Sequence, residues 1–302
     1  MEKITSTWYA IAGSYLEIQC STEFDLGRLL PSFADFKLGD DAVVKGHPIT
    51  QVIVTKQAFG RSSKDAKLLS DISIVWGNRF KFFELPDVFV TTVAGTSKQE
   101  TWFMESEKDF SKSTIYWIDD KEISGELLSW MIMVTFAQSA VFHNTILVHA
   151  SVIERDGKGY AFLGKSGTGK STHSRMWQAS IHGAELLNDD NPAVKIESDG
   201  SVKIYGTPWS GKTPCYRNMV VDLQALVRLK QAPINQMEWK SGQQAFLTLL
   251  PSCSAIRWNQ EIFANMADIV QNISTEIPVG ELSCLPNGEA AKLCLSEIEN
   301  IK

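Results

Sequence analysis

Cysteine is scarce and scattered: the 302-residue chain has five, at 20, 215, 253, 284 and 294, and no two stand as C-x-x-C. That argues against a disulfide-stapled scaffold and a thiolate zinc site, and predicts reduced thiols. Positive charge is also in deficit, with 29 Lys and Arg against 35 Asp and Glu and a net charge of −6. A general nucleic-acid binder or membrane-surface protein carries a basic field, so neither is expected. Any anionic ligand has to be attracted locally. No apolar run reaches the ~20 residues that span a bilayer. The longest, 127–142, contains Ser129, Thr135, Gln138 and Ser139 and reads as a buried helix. The opening MEKITSTWYA lacks the apolar core of a secretory leader, which predicts a cytoplasmic protein. Internal repeats and low-complexity tracts are missing as well.

What is present is 44% apolar residues, enough for packed cores, in a chain long enough for two domains. Up to residue 121 the sequence is rich in short runs mixing β-branched and aromatic residues, such as ISIVWGNRFKFFEL (72–85) and TIYWIDD (114–120). These predict strands, with 37–48 and 62–71 as connections, so residues 1–121 are expected to form a mostly β (α+β) domain. From Glu122 the spacing of Leu127, Leu128, Met131, Val134 and Ala137 becomes helical, and this helix is expected to join the first domain to a second, 122–302. There TILVHASVIE (145–154) and GYAFLG (159–164) read as two strands around an Asp156–Gly157 hairpin turn. A second turn is expected at Asp199–Gly200, helices near 242–250 and 259–273, then a strand over 277–285 and a helix over 288–301. The second domain is α/β.

The second of the two strands runs into LGKSGTGKSTH (163–173), which fits G-x-x-x-x-G-K-[ST] from Gly164 to Ser171 and continues as a helix. Glycines let successive N–H groups turn inward around a polyphosphate, Lys170 brings charge to the outer phosphates, and the Ser171 hydroxyl can ligate Mg²⁺. The expected nucleotide contacts are Gly164, Lys165, Ser166, Gly167, Thr168, Gly169, Lys170, Ser171 and Thr172. Downstream, Asp189–Asp190 end an apolar stretch. Adjacent carboxylates need pairing, protonation or a metal; a kinase uses one to help hold Mg²⁺ and the other to accept the proton of an attacking hydroxyl. The alternative is a solvated NDDN turn. In YGTPWSGKTPCYRN (205–218), Lys212 and Arg217 either neutralise a phosphate or acidic substrate or are ordinary surface charges, and Trp209 and Tyr216 anchor the loop. His173 is expected to be exposed or to pack.

Taken together, VHASVIERDGKGYAFLGKSGTGKSTHSRMW followed by ELLNDDNPAV resembles the catalytic domain of the HPr kinase/phosphorylase family, related to ATP-dependent phosphoenolpyruvate carboxykinases. The resemblance covers about 145–220 well. It implies a P-loop kinase fold of HPr kinase/carboxykinase type and an ATP- and Mg²⁺-dependent transfer to a hydroxyl. It also places His149 near the reacting phosphoryl group, lets Ser171 and Asp190 hold metal, and favours Asp189 as base, with the division of labour between the two acids left open. HPr kinases generally have a Glu and, two residues on, an Arg where this chain has Lys203 and Tyr205 in KIYG (203–206), so the resemblance does not extend to the phosphorylase activity or to HPr as acceptor. It is closer to HPr kinase-related proteins that include kinases acting on a serine of peptide precursors. The acceptor is either a protein or peptide serine or a small alcohol, and a homo-oligomer is compatible with the sequence. Two rival functions stay open: a nucleotide-sensing module that transfers nothing, and a carboxykinase-like enzyme.

Overall fold

The computed structural model describes residues 3–301 except 40, 43, 45, 62–65, 72–79, 95–100, 119–123 and 212. It is a mixed α/β protein with two sheets, dividing into one unit of 1–143 with 256–262 and another of 144–255 with 263–302.

In the N-terminal unit, β1 (Ile4–Ile11), β2 (Ser14–Ser21), β3 (Thr50–Thr55), β4 (Lys67–Ser70), β5 (Phe80–Glu84), β6 (Phe89–Ala94), β7 (Thr101–Ser106) and β8 (Lys112–Tyr116) form one sheet. Its order is β1-β2-β3-β8-β7-β6-β5-β4. The β2–β3 and β3–β8 pairs are parallel and the rest antiparallel. A short helix, α1 (Leu26–Leu29), lies in the β2–β3 connection. The strand expected over 72–85 is seen as β5, its first part lying outside the described residues. The connection expected over 62–71 instead contributes β4, which pairs with β5.

Helix α2 (Ser124–Ala140) packs on β3 and β8, so the division falls after His143 rather than at 121/122. The helix is apolar on nearly every side, as a helix buried all round must be. With residues 141–143 it is long and apolar enough to cross a membrane, yet 72% of it is buried inside the protein. Thr135, Gln138 and Ser139 on it are buried and bonded. Thr135 Oγ1 meets Thr50 Oγ1 at 3.1 Å, Ser113 Oγ at 2.7 Å and Phe110 O at 3.1 Å, Ser139 donates to Ile49 O, and Gln138 accepts from Ile256 N at 2.8 Å.

The second unit is built on β9 (Thr145–Leu147), β10 (Ala150–Arg155), β11 (Lys158–Leu163), β12 (Glu185–Asp190), β13 (Ala193–Ile196), β14 (Val202–Tyr205), β15 (Val220–Gln231), β16 (Gln236–Lys240) and β17 (Val279–Cys284). The order is β12-β10-β11-β15-β14-β13-β9, with β17 pairing β15 and β16. The helices are α3 (Lys170–Ser180), α4 (Gly242–Leu249), α5 (Gln260–Glu276) and α6 (Gly288–Glu299). The β10–β11 hairpin turns at Asp156 and Gly157, both with positive φ, as a two-residue primed turn requires. Phe162, Trp177, Val227, Leu229, Leu282 and Cys294 make a core that joins the sheet to α3 and α6.

The stretch 145–154 is not one strand. β9 stops at Leu147 and β10 starts at Ala150, because Val148 bridges to Cys253 and the His149 N–H donates to Ser252 O at 2.7 Å. His149 therefore sits in a break between strands, where its ring is free of the sheet's alternation.

Candidate active site

β11 ends at Leu163 and the chain turns through Gly164, Gly167 and Gly169, whose φ values are +154°, +83° and +102°. A side chain is strained in such backbone, and at Gly164 a Cβ would also meet Thr168 Oγ1 at 2.3 Å. The loop is closed on itself by Thr168, whose N–H and hydroxyl both donate to Lys165 O. Gln231 Nε2 steadies it from β15 at 3.4 Å from Gly167 O. Gly169 is the N-cap of α3 and makes no side-chain cap bond, so no cap side chain competes for the first N–H groups of the helix, an arrangement suited to an anion. Lys165, Ser166 and Gly167 are exposed, and Thr168, Gly169, Ser171 and Thr172 are half-buried.

Lys170 points back under the loop. Its Nζ donates to Gly164 O at 3.0 Å, lies 3.5 Å from Lys165 O, and is 2.8 Å from His149 Nε2. Burial lowers the pKa of the ammonium below its ordinary range; the carboxylates of Asp190 and Asp189 pull the other way, and Arg228 adds to the lowering. On the far side of the ring, His149 Nδ1 is 2.9 Å from Asp190 Oδ1. That is ion-pair distance, but the two atoms are not aligned as a hydrogen bond. Asp190 Oδ2 accepts from Asn191 Nδ2 at 2.8 Å. The structure thus joins Lys170, His149 and Asp190 in a row, with buried Asp189 beside them.

Strand register brings the row together. β12 runs antiparallel to β10 with Asp190 opposite Ala150 and Asp189 opposite Ser151, so the carboxylates end beside the break that carries His149. Ser151 Oγ meets Ser174 Oγ at 2.6 Å and fixes α3 to the same strand. The outer edge of β12 is covered by the segment after β14: Gly211 N donates to Asp189 O at 2.8 Å, and Ser210 bridges to Asp190.

Arg217 is not part of this row. Its guanidinium binds Leu186 O at 3.0 Å and Glu185 at 3.2 Å, at the other end of β12, where it anchors a loop. Lys212 lies outside the described residues. Trp209 is buried, as an anchor should be. Lys203 pairs with Asp222 at 3.4 Å, and Tyr205 donates to Glu197. His173 is buried rather than exposed: its Nε2 accepts from Trp177 Nε1 at 3.0 Å, and its ring meets Phe162 edge-on.

Several residues around the row carried no signal in the sequence reading. Asn188, Asn191 and Thr207 form a buried polar cluster behind the carboxylates. Arg228 donates to Thr248 O and to Ser252 Oγ at 3.2 Å, and Ser252 O is the acceptor for the His149 N–H. An asparagine next to two aspartates reads as a turn, and Arg228 lies in a segment without any motif.

The groups that could hold a cation offer oxygens: the Ser171 hydroxyl in the first turn of α3, the Asp190 carboxylate at the end of β12, and Asn191 Oδ1, which is buried with no hydrogen-bond partner among the described residues. Such a set fits a hard cation that takes its remaining ligands from phosphate and water. Among the described residues no three His, Cys, Asp or Glu side chains cluster as a metal cage. In comparisons with known proteins, no family model matches the chain, and no curated protein is significantly similar to it.

Proposed function

We propose that the chain is an ATP- and Mg²⁺-dependent kinase of HPr kinase-like type that transfers a γ-phosphoryl group to a hydroxyl. The observation that carries this reading is the row Lys170–His149–Asp190, held at 2.8 Å and 2.9 Å under a glycine loop, with a second carboxylate next to it. A loop that only sensed nucleotide has no need of paired acids at its edge.

The chain's own groups divide the work as follows. Main-chain N–H groups of 165–171 other than that of Thr168, which is bonded to Lys165 O, and the Lys170 ammonium take the β- and γ-phosphate oxygens, Lys170 exchanging the carbonyls of Gly164 and Lys165 for them. Mg²⁺, held by Ser171 and Asp190, would neutralise phosphate charge. Asp189 accepts the proton of the acceptor hydroxyl as its oxygen bonds to the γ-phosphorus, and the bond to the ADP oxygen breaks with its electron pair leaving on ADP. His149 stands between the two charges, with Lys170 Nζ at hydrogen-bond distance from Nε2 and Asp190 at ion-pair distance from Nδ1.

The acceptor is a protein or peptide serine or a small alcohol. The test incubates the protein with γ-labelled ATP, Mg²⁺ and cell extract split into macromolecular and small-molecule fractions. Label is expected in one fraction and absent with Lys170→Ala. Label released only as free phosphate refutes the reading, and phosphoenolpyruvate formed from oxaloacetate would replace it with a carboxykinase.

A further inference from the structure

Asn188 is fully buried, one residue before the carboxylate pair, and its carboxamide is used at both ends. Oδ1 accepts from the main-chain N–H groups of Asp190 and Asn191, each at 3.1 Å. Nδ2 faces Thr207 O at 3.2 Å, Thr207 Oγ1 at 3.3 Å and Trp209 O at 3.3 Å. Thr207 Oγ1 donates in turn to Asn191 O at 2.7 Å. The main chain of Asn191 is therefore gripped at its N–H by one side chain and at its C=O by the other. Just before this point β12 carries one extra residue relative to β10, since Val152 faces Asn188 while Ile153 faces Leu186. A bulge bends a strand and re-aims the side chains that follow.

We infer that Asn188 is a positioning residue for the carboxylate pair: its carboxamide fixes the bend that aims Asp190 at His149 and ties that bend to the 207–211 segment covering Asp189. Its expected effect on turnover rests on the kinase reading; its geometric role does not. An amide is the group this site needs. An aspartate at 188 has acceptors only and adds a third anion beside 189 and 190. A leucine of similar size leaves the main-chain N–H groups of Asp190 and Asn191 without the acceptor that Oδ1 supplies, in a buried site.

Two measurements test the role. The ring-nitrogen NMR shifts of His149 are read at one fixed pH in the parent, Asn188→Ala, Thr207→Val, Thr207→Ser and Asp190→Asn. Asn188→Ala and Thr207→Val are expected to move His149 in the same direction as Asp190→Asn, while Thr207→Ser, which keeps the hydroxyl, stays with the parent. In γ-label transfer, Asn188→Ala is expected to lower kcat about 10²-fold, the scale of a misplacement of about an ångström. ATP and Mg²⁺ are kept saturating, so that a weaker hold on Mg²⁺ through a misaimed Asp190 does not enter the rate that is read. Should Asn188→Ala not fold, the two Thr207 variants carry both measurements. Parental His149 shifts in Asn188→Ala or Thr207→Val, or an unchanged kcat where the parent transfers label, overturns the role. A parent that transfers no label removes the kinase reading and leaves the His149 shifts to decide.

Discussion

His173 offers a quantitative test of how α3 is held behind the glycine loop. Its ring is 3% exposed, and burial alone pushes its pKa down from 6.5 to about 4. The neutral ring accepts from Trp177 Nε1 at 3.0 Å, so its proton is assigned to Nδ1. Between pH 6.5 and about 4 the unfolded chain binds a proton that the folded chain refuses. Unfolding is then favoured as pH falls, and the stability present above pH 6.5 is lost down to about pH 4, where the loss levels off. At about 1.4 kcal/mol per pH unit the interval caps the loss at roughly 3 kcal/mol. His173→Gln keeps an acceptor for Trp177 but does not titrate. Urea unfolding followed by circular dichroism at pH 7 and at pH 4.5 gives the parent and variant stabilities. The variant is expected to be less stable than the parent at pH 7, where its packing is poorer, and to recover by roughly 2–3 kcal/mol relative to the parent at pH 4.5. A difference between the two proteins that does not change with pH would refute the reasoning.

Lys170→Met removes a cation that burial already disfavours, so the ligand-free thermal midpoint is expected to hold or rise while the rise on adding ATP disappears. A parental ATP response in that variant, read by differential scanning fluorimetry, counts against the loop assignment. At Gly206 a Cβ would stand 1.9 Å from Arg217 O, a main-chain atom that cannot swing away. Gly206→Ala is therefore expected to cost at least about 2 kcal/mol in denaturant titration, and parental stability would show that the loop base is not as close as described. Thr135→Val strips the hydroxyl shared with Thr50, Ser113 and Phe110 O and is expected to cost about 1–3 kcal/mol. A variant as stable as the parent would mean that this buried cluster contributes nothing net.

Much of the second unit was legible because its signals are local. The Asp156–Gly157 turn, the glycine loop feeding a helix, and the terminal strand and helix each announce themselves within a dozen residues. β15 did not. Its first half alternates, but Ala225, Leu226 and Val227 are all buried: Ala225 and Val227 face the core shared with α3 and α6, and α4 packs on β15 as well. A strand covered on both faces loses the period of two that identifies it. The break at His149 was hidden for a different reason: its cause is a pairing with residues 252–254, about a hundred positions away.

The two arginines show why the site itself was only half legible. Arg217 stands in a loop rich in glycine and proline, which made it a candidate to neutralise a phosphate or an acidic substrate, with an ordinary surface charge as the alternative. A strand rises about 3.3 Å per residue, so an arginine bonded at Leu186 is held about 13 Å along β12 from Asp190. Arg228 lies in a segment without any motif, yet the parallel register of β11 and β15 sets it opposite Leu163, the residue from which the glycine loop departs. From there it fastens 248–252, and Ser252 fastens the backbone of His149. Motifs name the groups that meet a ligand, because ligand chemistry restricts their type. The groups that aim them are restricted only by register, and register is set by pairing between strands far apart in the chain.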